Sequence, residues 1–309
     1  MKIVFFSGIQ KPTDELSHED INGTGKLYSY YLRKEMDKRG IETIPCRGVG
    51  VNESDEKYEQ LINIPKGDHL ISVEQRGITN RRNHPCVLKR MRESISGKIT
   101  SICDNNMLIG DEDLLFYAVP APEKPKSIYV GWAVDHSMCF PQKDPNVLRI
   151  LIDHSLYVEN NTVDISIPIF KDVMNFANSY KERPVIVRRF ISGGVETCDA
   201  NSKPEIYNRK GLNFKDAADE YRRSDIFIVT HPESMGLSVL ESAASGALVL
   251  SPNGFIKPEL INDLNHLIFN GKIPWKNALN MINHEKSYKR TLKYNWSDVV
   301  DKMIKGLKL

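Results

Sequence analysis

Short apolar runs alternate with amphipathic stretches along the whole chain. Buried β-strands are predicted in the first half by the apolar runs at residues 2–7, 41–45, 69–73, 98–104 and 127–134. The second half repeats the pattern at residues 149–157, 184–194, 225–232 and 247–254. Helical patterns separate these runs, beginning with a helix that opens at residues 23–26 and ends near Gly40. Strands that alternate with helices predict parallel sheets joined by right-handed crossovers, which is an α/β fold.

The stretch FPQKDPN, residues 140–146, separates the two halves of this pattern. A chain of 309 residues, 40% of them hydrophobic, is long and apolar enough for two cores. We predict two doubly wound domains, residues 1–142 and 143–284, and a C-terminal helix within residues 285–309 that packs back toward the first domain. The carboxyl ends of the two sheets are expected to face each other across a cleft, where such sheets bind ligands.

Charge and cysteine content bear on the cellular compartment of the protein more than on its function. The 42 Lys and Arg residues nearly balance the 40 Asp and Glu residues, so the net charge of +2 indicates no partner by itself. The five cysteines lack paired spacing, which argues against a zinc site and against a disulfide framework. No apolar stretch has the length of a signal peptide or a membrane span. We therefore expect a cytoplasmic protein without a transmembrane segment.

The most informative stretch is THPESMGLSVLESAASGALVLSPNG, residues 230–254. It predicts a strand end, a sharp turn, a helix, a stop made of small residues and a second strand. The backbone N–H groups of Met235, Gly236 and Leu237 are expected at the helix N-terminus. Unpaired donors and the positive end of the helix dipole make that position suitable for a diphosphate.

Two glutamates, Glu233 and Glu241, flank the start of this helix with seven residues between them. A carboxylate can accept two O–H donors at once, which suits a pair of neighbouring sugar hydroxyls. Glu233 in the turn is therefore a candidate ligand of a hexose or pentose, and Glu241 a candidate ligand of a ribose. Taken alone, such a pair more often marks a solvated helix face, so its weight comes from the surrounding pattern.

That surrounding pattern, ESMGLSVLESAASG, resembles the donor-binding motif of the GT-B fold glycosyltransferases, in particular the large retaining family 4. The family pattern runs Glu-Ser/Gly-Phe-Gly-Leu and then Leu-Glu-Ala-Met-Ala-Ser-Gly. The segments YRRSDIFIVTHP, PNGFIKPELI, GWAVDHSMCFP and YNWSDVVDKMI are similar to further segments of these enzymes. The resemblance is strongest over residues 215–309, and it implies two Rossmann-like domains of the GT-B type.

The resemblance implies transfer of a sugar from a nucleotide diphosphate sugar to an acceptor hydroxyl, with retention of configuration. It implies that Glu233 holds the donor sugar in catalysis, that Glu241 binds the ribose, and that the backbone from Ser234 through Met235 and Gly236 to Leu237 faces the diphosphate. Gly25 would let the first loop approach the donor, with Lys26 beside it. Because no Asp-x-Asp motif stands in a suitable context, we expect neither a metal ion nor a cofactor besides the donor substrate.

The sequence departs from the family where the diphosphate-binding Arg and Lys normally follow the first strand of the second domain. Here that strand leads into Asp153, His154 and Ser155. We predict that Arg188 supplies the catalytic cation or that Arg189 binds the donor, since alternation along a strand lets at most one of them face the cleft. His154, with His231 at another strand end, is either a donor contact or a structural histidine bonded to backbone.

A basic segment between residues 76 and 98 bears on the acceptor. It carries seven basic residues against the single acid Glu93, namely Arg76, Arg81, Arg82, Lys89, Arg90, Arg92 and Lys98. Lys and Arg hold nucleic acids through phosphate contacts, so we predict a polyanionic acceptor bound by Arg76, Arg81, Arg82, Lys89 and Arg90. Some bacteriophage enzymes that glycosylate hydroxymethylated DNA bases have the GT-B fold. A hydroxymethylated base in DNA, flipped out of the duplex, is the leading hypothesis, and the cytoplasm is then that of the host.

Three alternatives stay open. The basic segment also suits lipopolysaccharide or another surface glycan. A noncatalytic nucleotide-sugar or nucleic-acid binding protein would bind the donor without turnover, and the missing Arg and Lys pattern favours it. A nucleotide-sugar epimerase of the same fold would form its product from the donor alone.

Overall fold

The computed structural model describes residues 1–7, 9–21, 24–47, 63–73, 85–103, 112–118, 126–153, 163–191, 194–199, 202, 213–232 and 236–309. These residues form two compact units, each with a six-stranded sheet. The first unit combines Met1–Ala133 with Asn295–Leu309, and the second spans Val134–Tyr294.

The first unit is built on a parallel sheet. Its strands are β1 (Lys2–Ser7), β2 (Glu42–Arg47), β3 (His69–Val73), β4 (Ile99–Cys103), β5 (Leu114–Tyr117) and β6 (Ser127–Tyr129). They lie in the order β2-β1-β3-β4-β5-β6, so the direction in which strands are added reverses at β1. Among its described residues, helices α1 (Thr24–Asp37) and α2 (Pro85–Ser94) follow strands of this unit.

Strand β1 has no solvent face. Ile3, Val4, Phe5 and Phe6 are each fully buried, as expected for a parallel strand covered on both sides of the sheet. The apolar run at residues 2–7 predicted this strand with the same first and last residues that the structure shows.

The second unit contains a mixed sheet and most of the helices. Its strands are β7 (Leu148–Ile152), β8 (Val185–Ile191), β9 (Gly194–Cys198), β10 (Ile226–Ile228), β11 (Leu248–Pro252) and β12 (His266–Phe269). Its helices are α3 (Val163–Ser179), α4 (Phe214–Arg223), α5 (Leu237–Ala244), α6 (Pro258–Ile261), α7 (Trp275–Met281) and α8 (His284–Thr291). The strand order is β12-β11-β10-β7-β8-β9, parallel except for the pair β8 and β9.

Helix α5 is held in place by a glycine at each end. Gly236, its N-cap, has φ 72° and ψ 26°, and a Cβ there would come within 2.5 Å of Leu260 Cδ2. Gly246, just past the helix, has φ 87°, and a Cβ there would come within 2.9 Å of Pro141 Cγ. Glycine is needed at both positions for the left-handed backbone and for the close approach. As a result, all eight residues of α5 are buried.

The last helix, α9 (Trp296–Leu307), belongs to the first unit. The Trp296 ring is stacked on Tyr31, with 4.9 Å between ring centroids, and Tyr28 meets it edge-on at 5.2 Å. The guanidinium of Arg39, just after α1, donates hydrogen bonds to Asp301 Oδ1 at 2.8 and 3.0 Å. Aromatic stacking and charged hydrogen bonds together attach the end of the chain to α1.

The boundary between the units differs from the predicted one. Residues 134–142, expected at the end of the first domain, pack on the second unit: Val134 N–H donates to the Tyr294 carbonyl, and Gln142 N–H donates to the Arg222 carbonyl. Three strands, β5, β9 and β12, were not predicted. Strands β9 and β12 are the two edges of their sheet and are only partly buried. The sequence of β9, GVETC, is interrupted by polar residues, and the apolar run of β12, HLIF, is only three residues long.

Replacing Trp296 with Ala tests the attachment of α9. Trp296 is 5% exposed, and its loss removes the stacked and edge-on ring contacts, so we expect the free energy of unfolding to fall by about 3–5 kcal/mol. Urea denaturation followed by circular dichroism measures this change. Leu309→Ala, at a residue that is 40% exposed, serves as the control and should change stability by less than about 0.5 kcal/mol. Equal effects of the two substitutions would contradict this packing.

Replacing Gly236 with Ala tests the start of α5, with Gly254→Ala as a matched control. Gly254 has φ 81° but nothing within 4 Å of an added Cβ, so its substitution carries the backbone strain alone, about 1–2 kcal/mol. We expect Gly236→Ala to cost a further 1–3 kcal/mol, roughly, because the methyl group overlaps Leu260. Thermal and urea unfolding of both variants measure the difference in the free energy of unfolding. Equal losses of stability would show that the Leu260 side chain moves aside without cost and would contradict the steric overlap.

Candidate functional site

The order of strands in the second sheet sets a topological switch point at its carboxyl edge. Strand β7 lies between β8, which follows it in the chain, and β10, on its other side. The connections leaving β7 and β10 therefore diverge, and open α/β sheets bind ligands where this reversal occurs. The register pairs Ile152 of β7 with Ile228 of β10, so the residues that follow these two strands leave the sheet side by side.

An acid and a histidine occupy this switch point. Asp153, directly after β7, is fully buried, and its Oδ2 lies 3.5 Å from Nδ1 of His231. The His231 side chain, three residues after β10, is 13% exposed. The sequence placed His231 at a strand end but did not pair it with Asp153, because the pairing depends on the strand order. Reading both residues as strand exits, together with the order of the strands, would have found the pair.

Helix α5 follows β10 and carries Glu241 in its second turn. Glu241 is 7% exposed, and a carboxylate buried to this extent requires polar partners. Burial raises the pKa of the Cys139 thiol well above its usual value, and the negative charges of Glu241 and Asp135 raise it further. Cys139 therefore stays a protonated thiol at neutral pH, and the Glu241 charge lies within its electrostatic reach.

A histidine fixes the other end of α5. His284 Nδ1 donates to the Gly246 carbonyl at 2.9 Å, and His284 Nε2 lies 3.1 Å from Oδ1 of Asp225, the residue before β10. Asp225 Oδ2 accepts a further hydrogen bond from the backbone N–H of Arg149 at 2.8 Å. Through these contacts the end of α5 is tied to Asp225 before β10 and, through Asp225, to Arg149 of β7.

The two arginines of β8 are both paired with carboxylates. Arg188 donates to Glu220 of α4 at 2.6 and 3.1 Å, and the hydrogen bond to this carboxylate raises the pKa of Arg188. Arg189, 1% exposed, donates to Glu196 at 2.9 and 3.1 Å, and its guanidinium carbon lies 5.4 Å from the Phe170 ring centroid. The expected alternation of the two side chains across the strand is observed, and their roles toward a donor stay predictions.

The remaining predicted site residues fall into two groups. Seven lie outside the described residues, namely Arg76, Arg81, Arg82, His154, Glu233, Ser234 and Met235. The others lie at the starts of helices or on them: Gly25 is buried and Lys26 half-buried in the first turn of α1, and Gly236 and Leu237 begin α5. The described residues contain no cluster of metal-ligating side chains.

The structure describes the basic segment, residues 76–98, from Pro85 at the start of α2 onward. Lys89 is exposed, with Nζ 4.0 Å from Glu93 Oε1, and Arg90 is half-buried. Arg92 forms a two-pronged ion pair with Asp113 at 2.6 and 3.0 Å, and Lys98 Nζ donates to the Gly306 carbonyl at 2.9 Å. Arg92 and Lys98 therefore have structural partners within the first unit. Across the described part of the chain, no helix is long and apolar enough to cross a membrane.

Comparisons with known proteins find relatives in structure only. No protein-family model matches the sequence, and no curated protein matches it. A sucrose-phosphate synthase from Thermosynechococcus elongatus superposes with a TM-score of 0.58 at 10% identity, over 98% of this chain and 97% of that one. A second similar structure is from Listeria monocytogenes and is provisionally assigned as a UDP-N-acetylglucosamine 2-epimerase. It superposes with a TM-score of 0.58 at 12% identity, over 99% of this chain and 95% of that one.

A third similar structure is an alpha-glucosyltransferase in complex with UDP and a 13-mer DNA containing an HMU base. It superposes with a TM-score of 0.52 at 11% identity, over 100% of this chain and 99% of that one. Identities this low establish the fold alone. Together with the two six-stranded, largely parallel sheets, they confirm the predicted class: the chain has the GT-B fold, made of two Rossmann-like domains.

Proposed function

We propose that this protein is a glycosyltransferase that moves a sugar from a nucleoside diphosphate sugar to an acceptor hydroxyl with retention of configuration. The observation that carries the proposal is the buried Glu241 on α5, the helix that follows the switch-point strand β10 in a GT-B fold. A carboxylate beside a helix N-terminus at a sheet's ligand-binding edge combines two recognition elements that a nucleoside diphosphate requires.

The spacing on α5 suits a ribose next to a diphosphate. Leu237 is the first residue of the helix, and Glu241 lies four residues later, a rise of about 6 Å along the axis. The backbone N–H groups at the start of α5 and the positive end of its dipole favour the diphosphate. The Glu241 carboxylate can accept both ribose hydroxyls at once.

In the proposed reaction, the N-terminus of α5 also contacts the diphosphate, which is the leaving group. Negative charge grows on the diphosphate as the bond to the sugar breaks, and preorganised N–H donors stabilise that charge without a metal ion. Glu233, on the basis of the sequence resemblance, is proposed to hold the hydroxyls of the donor sugar. Nucleotide ligands recur among proteins of similar fold: besides the alpha-glucosyltransferase with UDP, a Neisseria meningitidis epimerase was solved with UDP-GlcNAc bound.

For the acceptor we propose a polyanion, with a hydroxymethylated base in DNA as the first candidate. The support is the basic segment, of which Lys89 presents a side chain that is 78% exposed on α2. The proposed contacts are Arg76, Arg81, Arg82, Lys89 and Arg90. Arg92 and Lys98 are not among them and have structural partners inside the first unit. The DNA-bound alpha-glucosyltransferase of similar fold adds weight to this candidate over a surface glycan.

Donor binding is tested by titrating UDP, GDP, ADP, CDP and TDP sugars into the protein, with EDTA present because the proposal requires no metal. We expect one class of donor to bind, and Glu241→Gln to weaken its affinity about tenfold, or about 1.4 kcal/mol, by removing one acceptor oxygen. Glu285→Gln is the matched control, since this residue of α8 has a side chain that is 75% exposed, and should bind as the native chain does.

The same titrations separate the alternatives. A donor that binds but is neither transferred nor hydrolysed would favour the noncatalytic binding protein. A donor that is converted to a different nucleotide sugar without any acceptor would establish the epimerase, a reaction compatible with the same fold. Failure of all five donor classes to bind would contradict the proposal.

DNA recognition is tested by fluorescence anisotropy with duplexes that do or do not contain hydroxymethylated bases. We expect salt-sensitive binding, since the slope of log K against log salt is about −0.9 for each phosphate contacted. The triple substitution of Arg81, Arg82 and Arg90 by Ala should flatten that slope and weaken binding to both duplexes. Lys289→Ala on α8, an exposed lysine paired with Glu285, is the control. Unchanged binding by the triple variant would redirect the search to glycan acceptors.

A further inference from the structure

A cavity lies at the amino edge of the second sheet. It has a volume of about 460 Å³, within the range of about 300–1,000 Å³ that is usual for small-molecule sites. Its walls come from the residues that precede β7, β8 and β10 and from α7 and the start of α8. The lining includes Lys143, Arg183, Asp225, Leu279, Ile282 and His284.

This cavity is separate from the switch point. Strands β7, β8 and β10 run parallel, so the residues that precede them gather at one edge of the sheet, and the residues that follow them gather at the other. The five residues of β7 place roughly 15 Å between the two edges. An occupant of the cavity therefore does not compete with a donor bound at the start of α5.

The lining carries more basic side chains than acidic ones, namely Lys143, Arg183 and His284 against Asp144 and Asp225. The Asp225 carboxylate is already engaged: Oδ1 lies 3.1 Å from His284 Nε2, and Oδ2 accepts the backbone N–H of Arg149 at 2.8 Å. Asp144 is exposed to solvent, which screens its charge. The cavity therefore has a surplus of positive charge, carried by Lys143 and Arg183.

The Lys143 side chain is half-buried as a whole, but its amine is enclosed. Nζ donates to the carbonyl of Tyr221 at 3.3 Å and to that of Ser224, both at the end of α4. An ammonium has three N–H donors, so these carbonyls leave one donor without an acceptor among the described residues. Burial lowers the pKa of Lys143 to about 7, and the Asp225 charge offsets only part of this effect. An anion in the cavity would accept from the third donor and stabilise the charged amine.

Arg183 contributes a second cation from the residue pair that leads into β8. Its Nη1 donates to the Pro145 carbonyl at 3.1 Å, which fixes the guanidinium beside the cavity. A guanidinium carries five N–H donors in a planar fork that matches a carboxylate or a phosphate. The bond to Pro145 and a contact with the Tyr180 hydroxyl use only part of this set.

The cavity also has an apolar wall. Leu279 on α7 and Ile282, just after this helix, line the cavity and pack against the hydrophobic core of the second unit. Covering apolar surface contributes about 25 cal/mol per Å². A bare inorganic ion would leave this wall uncovered, whereas an anion with an apolar body would cover it.

We propose that this cavity binds an organic anion, whose carboxylate or phosphate group is held by Lys143 and Arg183 and whose apolar body packs against Leu279 and Ile282. The anion accepts charge-assisted hydrogen bonds from the ammonium and from the guanidinium fork. This inference does not rest on the proposed function, because the donor is proposed to bind at the opposite edge of the sheet.

Calorimetric titration with benzoate, phenyl phosphate and inorganic phosphate tests the proposal, and benzyl alcohol is the uncharged match for benzoate. We expect benzoate and phenyl phosphate to bind at least about tenfold more tightly than benzyl alcohol and inorganic phosphate. The tighter of the two identifies the natural ligand as a carboxylate or as a phosphate monoester. Failure of both organic anions to bind would overturn the proposal and would leave the proposed function untouched.

Two variants locate the bound anion. Lys143→Met and Arg183→Gln should each weaken its affinity at least about fivefold. Lys181→Met is the control, since this exposed lysine donates to the Asn178 carbonyl and does not line the cavity, and it should bind as the native chain does. If Lys143→Met does not fold, Arg183→Gln decides alone. Unchanged affinity in either folded variant would place the anion elsewhere and overturn the proposal.

The pH dependence of benzoate binding isolates the charge on Lys143. Benzoate stays ionised between about pH 6 and about pH 8.5, whereas Lys143, with a pKa of about 7, loses its proton over this range. Because the protonated amine binds the anion, affinity should fall several-fold as the pH rises. Lys143→Met should lose most of this dependence, since the other titratable groups of the lining, Asp144, Asp225, Arg183 and His284, are unchanged. An equal pH dependence in both chains would overturn the role of Lys143.

Discussion

The pairing of β7 with β10 is the interaction on which the candidate site depends. These strands are distant in the sequence, and the chain reaches β10 only after completing β8, β9 and α4 on other parts of the sheet. Their parallel register, Ile152 opposite Ile228, places Asp153 and His231 at one edge and directs the chain into α5. A shift in this register would separate the acid from the histidine and move the start of the helix.

The helix that follows can serve a ligand because it is fixed at both ends. Left-handed glycines at 236 and 246 let it approach Leu260 and Pro141, and His284 ties its end to Asp225. Every residue of α5 is buried, including Glu241, so the carboxylate sits on a rigid element. Preorganisation of this kind lowers the cost of holding a flexible nucleotide sugar and keeps its charged groups aligned during reaction.

The sequence predicts features that arise from local patterns. The apolar run of β1 and the alternation of Arg188 with Arg189 need only neighbouring residues. The fold class followed from the alternation of strand and helix patterns and from the resemblance of residues 215–309 to GT-B glycosyltransferases. The edge strands β9 and β12 were not predicted because the first is interrupted by polar residues and the second has an apolar run of only three residues. The pairing of Asp153 with His231 is set by strand order, and the unit boundary by contacts such as Val134 with Tyr294, both of which are nonlocal.

We propose that this GT-B protein transfers a sugar with retention of configuration. Proton NMR tests this in a reaction that contains the protein, the nucleotide sugar identified in the binding titrations and an acceptor duplex with hydroxymethylated bases. We expect release of the nucleoside diphosphate and a new glycosidic anomeric signal whose coupling constant matches the configuration of the donor. An intact donor after prolonged incubation with DNA and glycan acceptors, or a new nucleotide sugar in place of a glycoside, would contradict it.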